Sequence, residues 1–213
     1  MLASDSFREE GAMGEYDRWQ GRYAAPEYIF GEGPNAFLAS QRHLLPATGK
    51  ALAVADGEGR NGVWLAEQGL DVLSIDFSPL GQEKAKALAA RRGIAMRFDC
   101  ADVHTWPYPA AAYDVVVEIF TQFSDPDQRA LKWAGMKKAL KPGGLLLIEG
   151  YNPKQLDYGT GGPKLLDHLY TEDMLRDAFG DFSTIEIRAY DTQMPDGTTH
   201  AGMGAVIDLI GWK

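Results

Sequence analysis

The fold is decided by one stretch of the sequence, residues 51–76, which reads ALAVADGEGRNGVWLAEQGLDVLSID. Its first five residues form a short apolar run that predicts a strand. A glycine-rich turn, a helical segment over 60–68 and a second apolar run over 71–75 follow. This order of strand, turn, helix and strand predicts one βαβ unit of a parallel sheet.

The same alternation of strands and helices continues toward the C-terminus. Predicted helices cover 79–92, 126–140 and 170–179, and predicted strands cover 95–98, 113–119, 145–149, 182–190 and 205–212. The last two strands follow each other without a helix, and an Asp196-Gly197 turn signal lies between them. The sequence therefore predicts an α/β, Rossmann-like fold: a seven-stranded, mostly parallel sheet with helices on both faces and an antiparallel C-terminal strand pair.

The composition limits what the protein can bind. The formal net charge is −9 and no long basic run occurs, so the chain lacks the clustered positive charge that grips a phosphate backbone. No apolar run approaches the roughly 20 residues of a membrane span. A single cysteine and an acidic N-terminal stretch favour a cytoplasmic protein. We expect a small-molecule substrate, neutral or cationic, and neither nucleic acid nor membrane as a partner; a monomer and a homodimer both stay open.

The turn at 57–62 has the spacing Gly-x-Gly-x-x-Gly between a strand and a helix. Glycine suits a tight turn that a cofactor approaches closely, because no Cβ stands in the way. Asp76 ends the next strand, where a carboxylate can accept hydrogen bonds from both hydroxyls of a ribose. The plainer alternative is that the glycines only form a βα turn and that Asp76 only caps the helix beginning near Pro79.

Two cofactor classes fit this turn. The spacing alone suggests NAD(P) and an oxidoreductase. Against that, only about 150 residues follow the turn, which leaves little room for a substrate domain, and the Tyr-x-x-x-Lys pair of short-chain dehydrogenases does not occur. Asp56 and Glu58 place carboxylates in the turn, where they repel a pyrophosphate but suit a cofactor that carries an ammonium and a sulfonium.

Further motifs narrow the choice. They are Tyr28-Ile29-Phe30-Gly31 with Pro34-Asn35, Gly57-Glu58-Gly59-Arg60-Asn61, Asp76-Phe77-Ser78-Pro79, Asp102-Val103, Tyr113-Asp114-Val115-Val116, Leu140-Lys141-Pro142-Gly143-Gly144 and Gly159-Thr160-Gly161-Gly162-Pro163. In this order the chain resembles a class I S-adenosylmethionine-dependent methyltransferase, in the small-molecule branch that contains the tellurite-resistance and thiopurine methyltransferases. The resemblance covers nearly the whole chain and implies S-adenosyl-L-methionine as the cofactor. A protein that binds this cofactor without turning over is the remaining alternative.

The resemblance also implies roles for individual residues. The methionine part of the cofactor would lie over the turn residues Asp56, Gly57, Glu58, Gly59 and Asn61. Asp76 would hold the ribose hydroxyls, with Phe77 packed on the adenine and Ser78 nearby. Asp102 would accept from the exocyclic adenine amine, and the Val103 backbone would meet a ring nitrogen. Glu118, Ile119 and Phe120 would lie near the methionine amine and the path of methyl transfer.

One departure from the family pattern stands out. The family's first strand usually ends Asp-x-Gly-x-Gly, and these positions read Ala53-Val54-Ala55-Asp56-Gly57 here. The usual acid is therefore Ala53, and the first glycine is Ala55. We hypothesise that Asp56 or Glu118 supplies the missing negative charge for the methionine ammonium.

The candidate catalytic residues are Gln122, which follows the fourth strand, and Tyr23 and Tyr28, which would close over the site. Soft nucleophiles need little help from a general base, and the family resemblance favours a thiol or chalcogen acceptor without naming it. The histidines show no metal-ligand spacing, so we expect no metal.

As one domain, 1–213 would divide into an N-terminal helical lid (1–46), a cofactor-binding core (47–150), and a substrate loop with the antiparallel edge (151–213).

Overall fold

The computed structural model describes residues 6–194 and 202–213, with side chains from residue 14 onward. Its strands are β1 (Lys50–Val54), β2 (Asp71–Asp76), β3 (Arg97–Cys100), β4 (Tyr113–Ile119), β5 (Leu140–Tyr151), β6 (Thr184–Met194) and β7 (Gly202–Trp212). Its α-helices are α1 (Ser6–Tyr23), α2 (Ala36–Ser40), α3 (Arg60–Glu67), α4 (Pro79–Arg91), α5 (Pro126–Ala139), α6 (Gln155–Tyr158) and α7 (Glu172–Phe179).

These strands form one sheet in the order β3-β2-β1-β4-β5-β7-β6. The first five run parallel, whereas β7 lies antiparallel to both β5 and β6. The predicted fold class is confirmed. The strand order reverses between β1 and β4, and in such sheets a ligand binds outside the carboxyl ends of the strands at this point.

Local signals set the helices that flank this edge. Ser78 caps α4 because its hydroxyl accepts from the Gly81 N–H at 3.0 Å, and Pro79 occupies the first turn. Asp125 and Gln128 form a reciprocal capping box at the start of α5. The carboxyl ends of β2 and β4 are therefore each followed within a few residues by a well-defined helix start.

The sheet has two apolar faces. One face packs Leu52, Val116 and Leu146 against side chains of α5 and α7, including Trp133 and Phe179. The other face packs Ala53, Val117 and Leu147 against side chains of α2 and α3, including Phe37 and Leu65. Side chains alternate between these faces along each strand, so the two faces carry separate groups of functional residues.

Several boundaries differ from the sequence predictions. β5 begins at Leu140 instead of at 145. The Pro142-Gly143-Gly144 segment, which was expected to form a turn, is part of this strand, although Gly143 has a φ of 75°. A 3₁₀ turn at Arg42–Leu44 follows the short α2. The predicted turn at Asp196-Gly197 lies outside the described residues. Within 6–194 and 202–213, no helix combines the length and apolarity needed to cross a bilayer.

Candidate active site

A cavity of about 450 Å³ opens at the carboxyl ends of β1, β2 and β4. Ten of the predicted site residues line it: Tyr23, Asp56, Gly57, Glu58, Asn61, Asp76, Phe77, Ile119, Phe120 and Gln122. Six do not: Tyr28, Gly59, Ser78, Asp102, Val103 and Glu118. Side chains of α1 and of the loop 161–165 complete the wall. The predicted turn, the second strand end and the fourth strand end thus meet at one cavity.

The turn after β1 is built from left-handed backbone. Ala55, Gly57 and Gly59 have φ of 51°, 56° and 85°. A Cβ on Gly57 would lie 2.5 Å from the hydroxyl of Tyr23, and one on Gly59 would lie 2.6 Å from the Cβ of Ala85 in α4. The protein's own atoms therefore need glycine at both positions, independently of any cofactor.

Asp76 is almost completely buried, at 2% exposure, yet its carboxylate lines the cavity. One oxygen accepts from the Gly57 N–H at 2.8 Å and the other accepts from the Ser78 N–H at 2.8 Å. Burial raises the pKa of Asp76 to about 6, although both hydrogen bonds lower it. Since each carboxylate oxygen has two lone pairs, each keeps one acceptor position for a vicinal diol.

The turn carboxylates are already used within the protein. Asp56 accepts from the Gly62 N–H at 3.2 Å and from the Ser74 hydroxyl at 3.0 Å, and burial raises its pKa to about 7. Glu58 pairs with the Lys84 ammonium at 2.8 Å and accepts from the Ile29 N–H at 2.9 Å. These contacts brace the turn, so they do not favour Asp56 as the partner of a ligand ammonium.

The Glu118 side chain lies toward α5 and does not line the cavity. Its carboxylate is fully buried and pairs with the Lys132 ammonium at 2.7 Å. It also accepts from Thr121, Trp133 and Tyr170, at 2.6, 2.7 and 2.7 Å. Burial alone would raise the pKa of Glu118, but Lys132 and these donors hold it below its ordinary value. This closed network of four donors holds the carboxylate toward α5, so it does not favour Glu118 as the partner of a ligand ammonium.

The candidate catalytic side chains have structural partners. Tyr28 donates to the Lys84 carbonyl at 2.8 Å and stacks under Arg91, away from the cavity. The Gln122 amide donates to the carbonyls of Tyr151 and His168 at 2.8 and 3.0 Å, which ties the loop after β4 to β5. Gln122 therefore lines the cavity whereas Tyr28 does not, and the hydrogen bonds of Gln122 hold the backbone of Tyr151 and His168 in place.

Tyr23 packs between the turn and the start of α4. It stacks on Trp19, with ring centroids 5.5 Å apart, and its ring also contacts the backbone near Gly81. Burial raises the pKa of Tyr23 well above its ordinary value. The phenol therefore stays protonated at neutral pH, where it can donate a hydrogen bond but cannot act as a base.

Beyond β2, aromatic rings form a second part of the wall. Phe77 lies 5.8 Å from Phe123 between ring centroids, and both rings line the cavity. Next to them, the Asp102 carboxylate pairs with His104 at 2.7 Å, and this hydrogen bond lowers the pKa of Asp102. Val103 is buried, and its carbonyl accepts from Tyr108. Asp102 and Val103 flank the aromatic pair without lining the cavity.

Two features of the site were missed from the sequence. Arg60, which lines the cavity from the first turn of α3, donates to the Phe30 carbonyl at 2.8 Å. Glu149 and Asp208 form a buried acid pair near Arg60. Burial lowers the pKa of the Arg60 guanidinium, and the Glu149 charge offsets part of that shift. Arg60 could have been found as the only cation inside the glycine turn, whereas the acid pair depends on a contact between distant strands.

The described residues contain no group of three or more His, Cys, Asp or Glu side chains arranged to hold a metal ion. His104, the histidine nearest the aromatic pair, contacts Ser124 through its second ring nitrogen at 2.8 Å. Its two nitrogens are thus occupied by Asp102 and Ser124, and the arrangement fixes the ring orientation.

Residues 51–144 match the family model of a methyltransferase domain. A demethylmenaquinone methyltransferase of Deinococcus radiodurans is 29% identical over 119 residues, which cover 54% of this chain and 48% of that protein. The chain thus spans about half the length of the curated relatives it matches.

Solved structures agree at the level of the fold. TehB from Haemophilus influenzae aligns with a TM-score of 0.71 and 16% identity, over 93% of this chain and 67% of that chain. A chain solved in work on the conversion of a disulfide bond into a thioacetal group during echinomycin biosynthesis aligns with a TM-score of 0.72 and 18% identity, over 93% of both chains. The predicted resemblance to S-adenosylmethionine-dependent methyltransferases is confirmed, and S-adenosylmethionine is the cofactor that these comparisons imply.

Proposed function

We propose that this protein transfers a methyl group from S-adenosylmethionine to a small-molecule acceptor. When bound, the cofactor supplies an electrophilic methyl group on its sulfonium. The new bond to the acceptor forms as the carbon–sulfur bond breaks, and the electron pair of that bond stays on sulfur. The protein has to align the two reactants and exclude water.

Asp76 is the single observation that carries this proposal. Its carboxylate is buried at the cavity wall, and the Gly57 and Ser78 N–H groups hold it in place from two directions. The acceptor positions left on its two oxygens suit the two hydroxyls of a ribose. A group that only capped α4 would not need to be oriented by the glycine turn as well.

Arg60 complements Asp76 at the other end of the turn. Its guanidinium lines the cavity at the start of α3, where the helix N-terminus adds positive potential. We assign it to the carboxylate of the cofactor's methionine part, because a guanidinium binds a carboxylate through two parallel hydrogen bonds. The position where the family carries an acid is Ala53 in this chain, and its side chain is buried in the core.

The acceptor assignment stays a thiol or chalcogen. Asp56 and Glu58 are held by internal contacts, and the Tyr23 phenol is a poor base, so none of the three readily takes a proton from an alcohol or an amine. A soft nucleophile reacts without such help. The neighbour linked to disulfide and thioacetal chemistry supports this proposal, whereas the demethylmenaquinone methyltransferase points to a different acceptor.

The three parts of the chain have separate roles in this proposal. The segment 1–46 would act as the lid, 47–150 would bind the cofactor, and 151–213 would supply the loop next to the acceptor. Gln20 of α1 accepts from the Ser78 hydroxyl at 2.5 Å, which supports a lid that is docked on the cofactor-binding core. The protein would work in the cytoplasm, as a monomer or a homodimer.

Titration calorimetry with S-adenosylhomocysteine and with NAD tests the cofactor. We expect the adenosyl compound to bind and NAD to give no heat; the opposite result overturns the proposal. A tritiated-methyl transfer assay over thiols, selenite and tellurite, amines and phenols then tests the acceptor. Binding without transfer to any of them would leave the protein as a non-catalytic binder of the cofactor.

A further inference from the structure

Three arginines gather around two aromatic rings at the cavity wall. Arg18 and Arg22 lie one turn apart on α1, and their guanidinium carbons are 5.4 and 4.9 Å from the centroid of the Trp19 ring. Arg22 and Arg60 lie 5.9 and 5.7 Å from the Phe30 centroid. All five residues line the cavity. The charge at this wall depends on how each arginine is paired, since four carboxylates also line the cavity, those of Glu15, Asp56, Glu58 and Asp76.

Arg22 has the least counter-charge of the three. Arg18 pairs with the Glu15 carboxylate at 2.7 Å. Burial lowers the pKa of Arg60, and the nearby charges of Glu149, Asp56 and Glu58 offset part of that shift. Among the side chains that the structure describes, those of 14–194 and 202–213, Arg22 has no ion-pair partner. Burial lowers its pKa, and the neighbouring Arg18 charge lowers it further, while Glu15 offsets this in part. Holding two guanidinium groups side by side costs free energy that a bound anion would recover.

The surroundings of Arg22 indicate the shape of that anion. The Trp19 and Phe30 rings flank its guanidinium, and Trp19 also has a buried indole N–H without a hydrogen-bond partner among the described residues. Phe120, Tyr151 and Met194 also line the cavity. Apolar and aromatic walls beside one guanidinium suit a flat apolar molecule that carries an acidic group at one end.

We propose that the thiol or chalcogen acceptor is an aromatic molecule that also bears a carboxylate, and that Arg22 binds this carboxylate beside Trp19. The proposal rests on the proposed methyl transfer for the identity of the site as an acceptor site. It replaces the sequence-based expectation of a neutral or cationic substrate, because net charge does not report the local charge at a cavity. In this arrangement, Arg60, next to the glycine turn, would bind the carboxylate of the cofactor's methionine part.

The test uses the full chain saturated with S-adenosylhomocysteine and two probes of the same shape. 2-Naphthoate carries a carboxylate and 2-naphthamide does not, and calorimetry gives the affinity of each. We expect naphthoate to bind about ten-fold more tightly or better, since the pair differs by one charged hydrogen-bonding group. Arg22→Ala and Arg22→Gln should abolish the preference. Arg97→Ala, which removes an exposed arginine paired with Asp71 outside the cavity, should retain it.

Three results would overturn the proposal: equal affinity for both probes, binding of neither, or a preference that persists without Arg22. The cofactor carboxylate is checked with 5′-methylthioadenosine, which lacks it. If Arg22→Ala weakens the binding of S-adenosylhomocysteine but not that of methylthioadenosine, Arg22 binds the carboxylate of the cofactor and the proposal is wrong. Failure of the proposed function is a separate outcome, because it would appear as absent S-adenosylhomocysteine binding in the unmodified protein.

Discussion

Glu149 of β5 and Asp208 of β7 lie directly opposite each other in the antiparallel pair, and their carboxyl groups share a hydrogen bond inside the protein. The amide of Asn35 donates to Glu149 from the other side. Burial raises the pKa of Glu149 to about 8 and that of Asp208 to about 6. At neutral pH the pair therefore holds one proton, with Glu149 as the protonated partner.

This pair makes stability depend on pH. A carboxyl whose folded pKa lies above its unfolded pKa binds more protons when folded, so stability falls as pH rises, here between about 4 and 8. Glu149→Gln imitates the protonated acid at every pH. Relative to the unmodified protein, we expect the variant to gain about 3 kcal/mol of unfolding free energy between pH 5.5 and pH 9. Urea denaturation at both pH values measures this.

The matched control for that experiment is Glu186→Gln, an exposed carboxylate on β6. It should follow the unmodified protein at both pH values. The account of the pair fails if Glu149→Gln loses stability with rising pH as steeply as the unmodified protein does.

Asp76→Asn should weaken S-adenosylhomocysteine binding by about 10- to 100-fold. An amide keeps one acceptor oxygen, so either the Gly57 or the Ser78 N–H loses its partner and one ribose hydroxyl loses its acceptor. Calorimetry measures the affinity, and a thermal melt confirms that the variant is folded. Asp71→Asn, at the exposed start of β2, is the control. An unchanged affinity in Asp76→Asn would contradict the ribose assignment.

The unusual backbone of Ala55 gives a different test. Replacing Ala55, with φ 51°, by glycine removes backbone strain of about 1 kcal/mol. Glycine also raises the conformational entropy of the unfolded chain, which makes folding less favourable by a similar amount. We therefore expect a net change within about 0.5 kcal/mol. The same replacement at Ala53, in the extended strand two residues earlier, should cost about 1 kcal/mol or more. Urea denaturation of both variants decides, and equal losses would argue against strain at Ala55.

Glu118→Gln should destabilise the protein by about 3 to 5 kcal/mol, because it leaves the buried Lys132 ammonium without its counter-charge. The double variant Glu118→Gln with Lys132→Met should recover much of that loss. Asp114→Asn, which breaks the half-exposed pair with Lys141, should cost less than about 1 kcal/mol. Guanidinium denaturation measures all three.

The same variant tests a sequence-based hypothesis. If Glu118 were the partner of the methionine ammonium, Glu118→Gln would lose affinity for S-adenosylhomocysteine but not for 5′-methylthioadenosine. The closed network around Glu118 leads us to expect equal effects on both ligands. A selective loss would restore the original hypothesis.

Local sequence signals were enough for the βαβ unit that opens the fold. The strand, turn and helix of 51–76 lie within one residue of their predicted bounds, because apolar runs and glycines with positive φ act over a few residues. The cavity residues Asp76, Phe77 and Phe120 follow from the same logic, since they stand at strand ends that must meet.

The direction of individual side chains was not accessible from the sequence. Glu118 and Ile119 are adjacent at the end of β4, yet alternation turns Glu118 toward α5 and Ile119 toward the cavity. Likewise, Glu149 was placed at the end of a strand, but its partner Asp208 comes from 59 positions later through β-pairing. Such contacts depend on register between distant strands, which no local pattern specifies.

Ala55 and Phe120 share one feature with a practical consequence. Both are non-glycine residues with positive φ, at 51° and 54°, and both line the cavity at the ends of neighbouring strands. Branched side chains such as valine or isoleucine are poorly accommodated in that backbone. In a saturation library, these two positions will therefore accept few residues, and attempts to reshape the cavity for new acceptors should diversify Phe30, Phe123 and Met194 instead.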